Sequence, residues 1–212
     1  MNTLKQAVWV LAGLSVLTAS AYADSPLTST DFYRAYMDVP QVARSEGVEM
    51  NEGIYNILQS DEYPLDVKMA IINAMGWTFG GQSNAASYMD FYMADHDKAV
   101  VDSDYMSGEE LIMLAYLVSM DDYFSMSPIE EGAEGVLGMT GVELAHEAAD
   151  RVPDDFTVRM MSALILAQEA MDYDWGYVFE ICDFVMKEAL VRNMRDGAID
   201  IIMEYIGLYQ GY

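Results

Sequence analysis

The same helix-start device is written three times along this chain, as Ser107-Gly-Glu-Glu110, Ser127-Pro-Ile-Glu130 and Thr140-Gly-Val-Glu143. In each, the hydroxyl can accept from the amide three residues on, and the glutamate can reach back to the amide of the capping residue. Pro128 stands where its missing N–H costs nothing. After Ser107 the residues Leu111, Ile112, Leu114, Ala115, Leu117 and Val118 recur at spacings of three and four, which predicts a helix over 107–123. Further helices are predicted over 66–75, 84–94, 155–171, 174–190 and 195–209, and from Ser127 and Thr140 onward. Pro64, Gly76 and Gly80-Gly81 mark the breaks. No stretch sustains strict alternation of apolar and polar residues, so no strand is expected. About ten short helices with brief connections predict an all-α fold, either stacked helical hairpins in an irregular α-solenoid or an irregular helical bundle. The polar stretch 95–104 is the best candidate linker, although Ala99-Val100-Val101 within it reads as a packed loop.

The N-terminus carries a different signal. Lys5 precedes the apolar run 7–18, and Ala21-Tyr22-Ala23 supplies a small-x-small cleavage site before Asp24. Residues 1–23 therefore read as a removed export signal, too short for a stable membrane span, with no cysteine after the apolar run to be lipidated. The expected mature protein is one domain over 24–212, periplasmic or secreted, with no integral membrane segment.

Ten basic and 35 acidic residues give a net charge of −25, and loss of Lys5 makes it one unit more negative. Such a field repels phosphate backbones, which excludes nucleic acid as a partner. The chain is not disordered, because 53% of its residues are apolar and 12% aromatic, enough to build a core. Cys182 is the only cysteine, so no intramolecular disulfide forms, and its apolar helical surroundings read as core. The 18 methionines, among them Met89, Met93, Met113, Met120, Met160 and Met161, interleave with Tyr, Leu and Ala at helical spacing and read as fillers of irregular gaps.

Chemistry is sparse. His96 lies in Asp95-His96-Asp97, short of the nitrogen or sulfur donors a tetrahedral zinc site needs, and His146 reads as a surface residue with no nucleophile placed beside it by a motif. The acidic groups around Asp102, Asp121 and Asp172 lack calcium-loop spacing, since Gly176 comes one place early after Asp172. No catalytic residue, cofactor or metal is assigned. Two acidic, aromatic-bearing segments stand out as partner contacts: Asp121, Asp122, Tyr123 and Phe124, and then Asp172, Tyr173, Asp174, Trp175 and Tyr177. Their rings can act as anchors inside a charged rim.

The stretch 142–158, with Ala145, Ala148, Pro153 and then capping acids, resembles the junction between two tetratricopeptide repeats. Helix starts at Asn51, Asn84, Ser107, Thr140 and Asp174 include separations of about 33 to 34 residues, the period of that family. Ala163 and Phe179 fall where the family has a small residue and an aromatic, while Arg159, Trp175 and Lys187 depart from its pattern. The stretch 57–76, with Pro64, Asp66-Val67-Lys68 and Ala74, is similar to a HEAT repeat turn. Both resemblances imply a protein-binding scaffold with no catalytic residue to carry over. The expected function is an exported, soluble, non-catalytic interaction module for a protein partner, with a basic one favoured by the charge. The alternative is an inhibitor or immunity protein against a cationic toxin or cell-wall hydrolase, and an enzyme is the third option. Intact-mass analysis of the envelope fraction is expected to find a chain beginning at Asp24; a soluble cytoplasmic product retaining Met1 would overturn the export reading.

Overall fold

A computed structural model describes residues 25–212, so the export signal read over 1–23 lies outside the described residues. Within them the fold is all-helical and no strand occurs. The helices are α1 (Pro40–Ser45), α2 (Glu52–Gln59), α3 (Leu65–Met75), α4 (Asn84–Asp95), α5 (Gly108–Asp121), α6 (Gly141–Arg151), α7 (Phe156–Ala170), α8 (Trp175–Lys187) and α9 (Asp196–Ile206). Among the described residues no helix is long and apolar enough to cross a membrane.

Two of the three capping boxes form. Ser107 and Thr140 each accept from the amide of Glu110 and Glu143, and each glutamate accepts from the capping residue's own amide in return. Ser127 starts no helix. Its hydroxyl donates to Ser125 Oγ at 3.0 Å, and the following Glu130-Glu131-Gly132-Ala133-Glu134-Gly135 offers no apolar face to bury. A short helix without such a face is marginal in water. Gly132 and Gly135 instead adopt φ of 75° and 67°, and Val136 N–H donates to Val101 O at 2.9 Å. This loop therefore docks on the predicted linker 95–104. Within that stretch Val101 alone is buried, whereas Ala99 and Val100, read with it as a packed loop, stay exposed.

Helices α3, α5 and α7 form an inner row. Every residue of α3 is buried, as are nearly all of α5 and most of α7, the expected state of a helix apolar on all sides. The outer helices α4, α6 and α8 pack against this row. Helices α5 and α6 run antiparallel at very close range: a Cβ at Gly108 would lie 2.7 Å from Val152 Cγ2, and one at Gly141 would collide with Ser119 Oγ. Methionines fill the core, with Met69, Met89, Met113, Met160 and Met161 all buried. Cys182 is buried as well, and desolvation pushes its thiol up to about 12, which leaves it unreactive.

The stack closes on itself. Residues 25–36, ending in a 3-10 turn (Phe32–Tyr36), lie over the inner row, and α9 packs against that turn. An open solenoid would touch only its sequential neighbours. Tyr36 makes the closure: its hydroxyl donates to Asp66 Oδ2 at 2.8 Å and accepts from Arg195 N–H at 3.1 Å. The Arg195 guanidinium adds bonds to Ala35 O and Asp38. Tyr36→Phe strands a buried Asp66 oxygen and the Arg195 amide, and is expected to cost about 2 kcal/mol. Arg34→Ala, which removes an exposed pair with Asp31 and a guanidinium contact over the Tyr33 ring, should shift the denaturation midpoint far less. Equal midpoints for the two variants in chemical denaturation would overturn the stapling role.

Candidate functional site

The two segments read as partner contacts have different fates. The first ends α5. Asp121 is 8% exposed, and its Oδ2 accepts from Ala85 N–H at 2.7 Å. It caps α4 from a neighbouring helix, because Ser83 gives α4 no side-chain cap. Tyr123 is 2% exposed and packs edge-on against Trp77, with ring centroids 5.0 Å apart. Only Asp122 and Phe124 reach the surface. Asp122 accepts from Ser125 Oγ at 2.6 Å, and the exposed Phe124 meets the exposed Phe79 ring at 6.0 Å. Asp121 and Tyr123, read above as contact residues, are thus buried, the one capping α4 and the other packed on Trp77.

The second segment stays on the surface. Asp174 caps α8, accepting from Gly176 and Tyr177 amides at 3.1 and 3.3 Å. Trp175 donates from Nε1 to Met171 O at 2.9 Å and leans on Tyr209 and Tyr212, yet remains half exposed. Asp172 is exposed, and so are Tyr173 at 64% and Tyr177 at 45%.

Tyr173 and Tyr177 line a groove of about 550 Å³ over α7, walled by α6 and α8. Ala163 and Leu166 of α7 form its floor. From α6 come His146, Ala149 and Asp150, and from α8 come Glu180, Ile181, Phe184 and Val185 beside Tyr177. Short α6–α7 and α7–α8 turns set the three helices side by side. Helix α8 has two apolar stripes: Val178, Cys182 and Val185 are buried inward, while Tyr177, Ile181 and Phe184 face the groove. Phe184 is 59% exposed, a large ring left uncovered.

The groove is acidic. Asp150, Glu169 and Glu180 line it against one cation among the described residues, Arg159, which is itself paired with Glu188 at 3.1 Å. His146 lines it too but makes no hydrogen bond or ion pair among the described residues, and Ser162 directs its hydroxyl to Ala145 O at 3.0 Å. The groove thus holds no oriented nucleophile and base. His96 sits far along the chain at the end of α4, stacked on Tyr92 at 4.1 Å with Nδ1 2.9 Å from Tyr92 O. Among the described residues no group of three His, Cys, Asp or Glu side chains is arranged to hold a metal ion.

Tyr173 and Tyr177 were legible in the sequence as surface rings, whereas Asp150, Glu169, Glu180 and Phe184 were missed. The signal for Phe184 was there: it stands seven residues after Tyr177, on the same helical face, outside the stripe that feeds the core. Comparison with protein-family models, curated proteins and solved structures returns no match.

Asp121 carries a pH signature. Desolvation pushes its carboxyl up to about 6, against the opposing hydrogen bonds from the Ala85 and Asn84 backbone. Raised above its unfolded value of 3.8, it binds its proton more tightly when folded, so its own contribution to stability is fully present below about pH 4 and is lost as pH rises through about 6. Asp121→Asn keeps an acceptor for Ala85 N–H and removes the charge. It is expected to gain up to about 3 kcal/mol over the parent at neutral pH, vanishing by about pH 4. Denaturation curves across that range check it, and a neutral-pH stability equal to the parent's would overturn it.

Proposed function

We propose that the protein is an exported interaction module, without catalytic chemistry of its own, that docks a basic protein partner in the groove between α6 and α8. The observation that carries this reading is the pairing of uncovered rings, Tyr173, Tyr177 and Phe184, with the carboxylates of Asp150, Glu169 and Glu180 in one concave surface. Uncovered aromatics in a concavity are the usual anchors of protein recognition, and a charged surround selects the partner and speeds its arrival. The net charge of −25 extends the same field over the whole molecule. Support also comes from the tetratricopeptide-like stretch 142–158, which supplies α6 and the turn into α7 and so one wall of the groove.

The test begins with affinity capture from the native envelope and then measures the captured partner against variants. Tyr177→Ala and Phe184→Ala, both exposed and outside the core, should retain full helicity by circular dichroism. Each is expected to weaken binding about tenfold, with association slowing as salt rises. Unchanged affinity in both, with helicity intact, would remove the groove from the binding surface.

A further inference from the structure

The chemistry of the groove specifies more than a basic partner. Helices α7 and α8 are antiparallel, because Arg159 near the start of α7 pairs with Glu188 just past the end of α8. One end of the groove therefore holds Asp150 and Arg159, and the other holds Glu169, Tyr173 and Tyr177, with Glu180 one turn along from Tyr177. The cation at the first end is neutralised by Glu188. The second end has carboxylates and rings and, among the described residues, no cation. Glu169, Tyr173 and Tyr177 sit close together: the Tyr173 phenol is held above its ordinary value first by desolvation and then by the charge of Glu169, with Tyr177 and Asp174 adding to it.

The length of the groove matters as well. From Arg159 to Glu169 the floor helix rises about 15 Å at about 1.5 Å per residue. An extended chain advances about 3.3 Å per residue, so the groove accommodates about four or five residues of strand-like peptide. A second helix laid there would meet the exposed Tyr177 and Phe184 rings standing on one wall.

We infer that the groove takes a short extended segment of the partner and seats an arginine side chain of that segment at the end formed by Glu169, Glu180, Tyr173 and Tyr177. The inference rests on the interaction-module reading and names its ligand. Arginine suits the site better than lysine because its planar guanidinium can bond a carboxylate through two N–H groups while lying against a ring, whereas an ammonium is a compact and strongly hydrated point charge.

The experiment uses the mature chain and fluorescently labelled five-residue peptides, each with one central Arg, Lys, Gln or Glu between small neutral residues, read by anisotropy. The Arg peptide is expected to bind best, the Lys peptide several-fold more weakly, and the Gln and Glu peptides least. The double variant Glu169→Gln with Glu180→Gln should lose about tenfold or more for the Arg peptide. Asp61→Asn with Glu62→Gln, which removes the same charge from the exposed turn before α3, should change it less than about twofold. Equal losses for the two double variants would show attraction to net charge alone and overturn the inference. So would Gln or Glu peptides that bind as well as Arg, or an Arg peptide that does not bind. If peptides fail while Tyr177→Ala still weakens the captured partner, a folded surface occupies the groove: the extended-segment inference falls and the module reading stands. If neither responds, both fall.

Discussion

Three helices that are buried over most of their surface need covering, and the rest of the molecule is arranged around α3, α5 and α7. The outer helices cover two flanks. The remaining surface is closed by residues 25–36, which are not α-helical and so bring backbone amides and carbonyls into the interior with no ladder to satisfy them. Side chains from the covered helices do so instead. Asn73 of α3 accepts from Tyr33 N–H at 2.9 Å and donates to Thr30 O and to Tyr116 of α5. Gln168 of α7 accepts from Leu27 N–H, and Trp77 donates to Thr28 O at 3.1 Å. With these bonds made, Leu27 and Phe32 can sink fully into the core, each contributing about 2 kcal/mol by burial.

The same need explains which parts of the chain were legible before the structure. Helices could be read because their starts are chemical: Asn51, Ser107, Thr140, Asp155 and Asp174 all cap the helices that begin after them. Ser127 shows the limit of that signal, since a cap stabilises a helix that packing has already selected and cannot create one over Glu130 to Gly135. The cover over the inner row was not legible. Nothing local distinguishes an Asn73 that serves the backbone of residues 30 and 33 from an asparagine facing water.

The candidate site divides along the same line. Asp172 to Tyr177 span the α7–α8 turn and the first turn of α8, outside the stripe of α8 that feeds the core, so their rings remain outside. Asp121 to Tyr123 have the same residue types but end a wholly buried helix, and there the carboxylate and the phenol are drawn into neighbouring needs. The acidic side chains of the groove escaped notice for a further reason. Asp150, Glu169 and Glu180 come from three helices, and in a chain with 35 acids only the packing shows which of them share a concavity.

Closure of the fold and openness of the groove are linked. Helix α9 touches α8 yet contributes no residue to the groove. It turns away to meet the Phe32–Tyr36 turn, held by Tyr36, Asp66 and Arg195. The short turn after α9, Gly207–Tyr209, returns to the N-terminal end of α8, where Tyr209 and Tyr212 brace Trp175, and residues 210–212 border a second hollow with Phe179, Glu180 and Phe184. Among the described residues, the wall of α8 bearing Tyr177, Glu180 and Phe184 is left with no helix across it. A segment that the core recruits thus leaves this aromatic and acidic wall without a covering helix among the described residues. In the proposed docking, a wall that the fold already leaves open needs less ordering when a partner arrives.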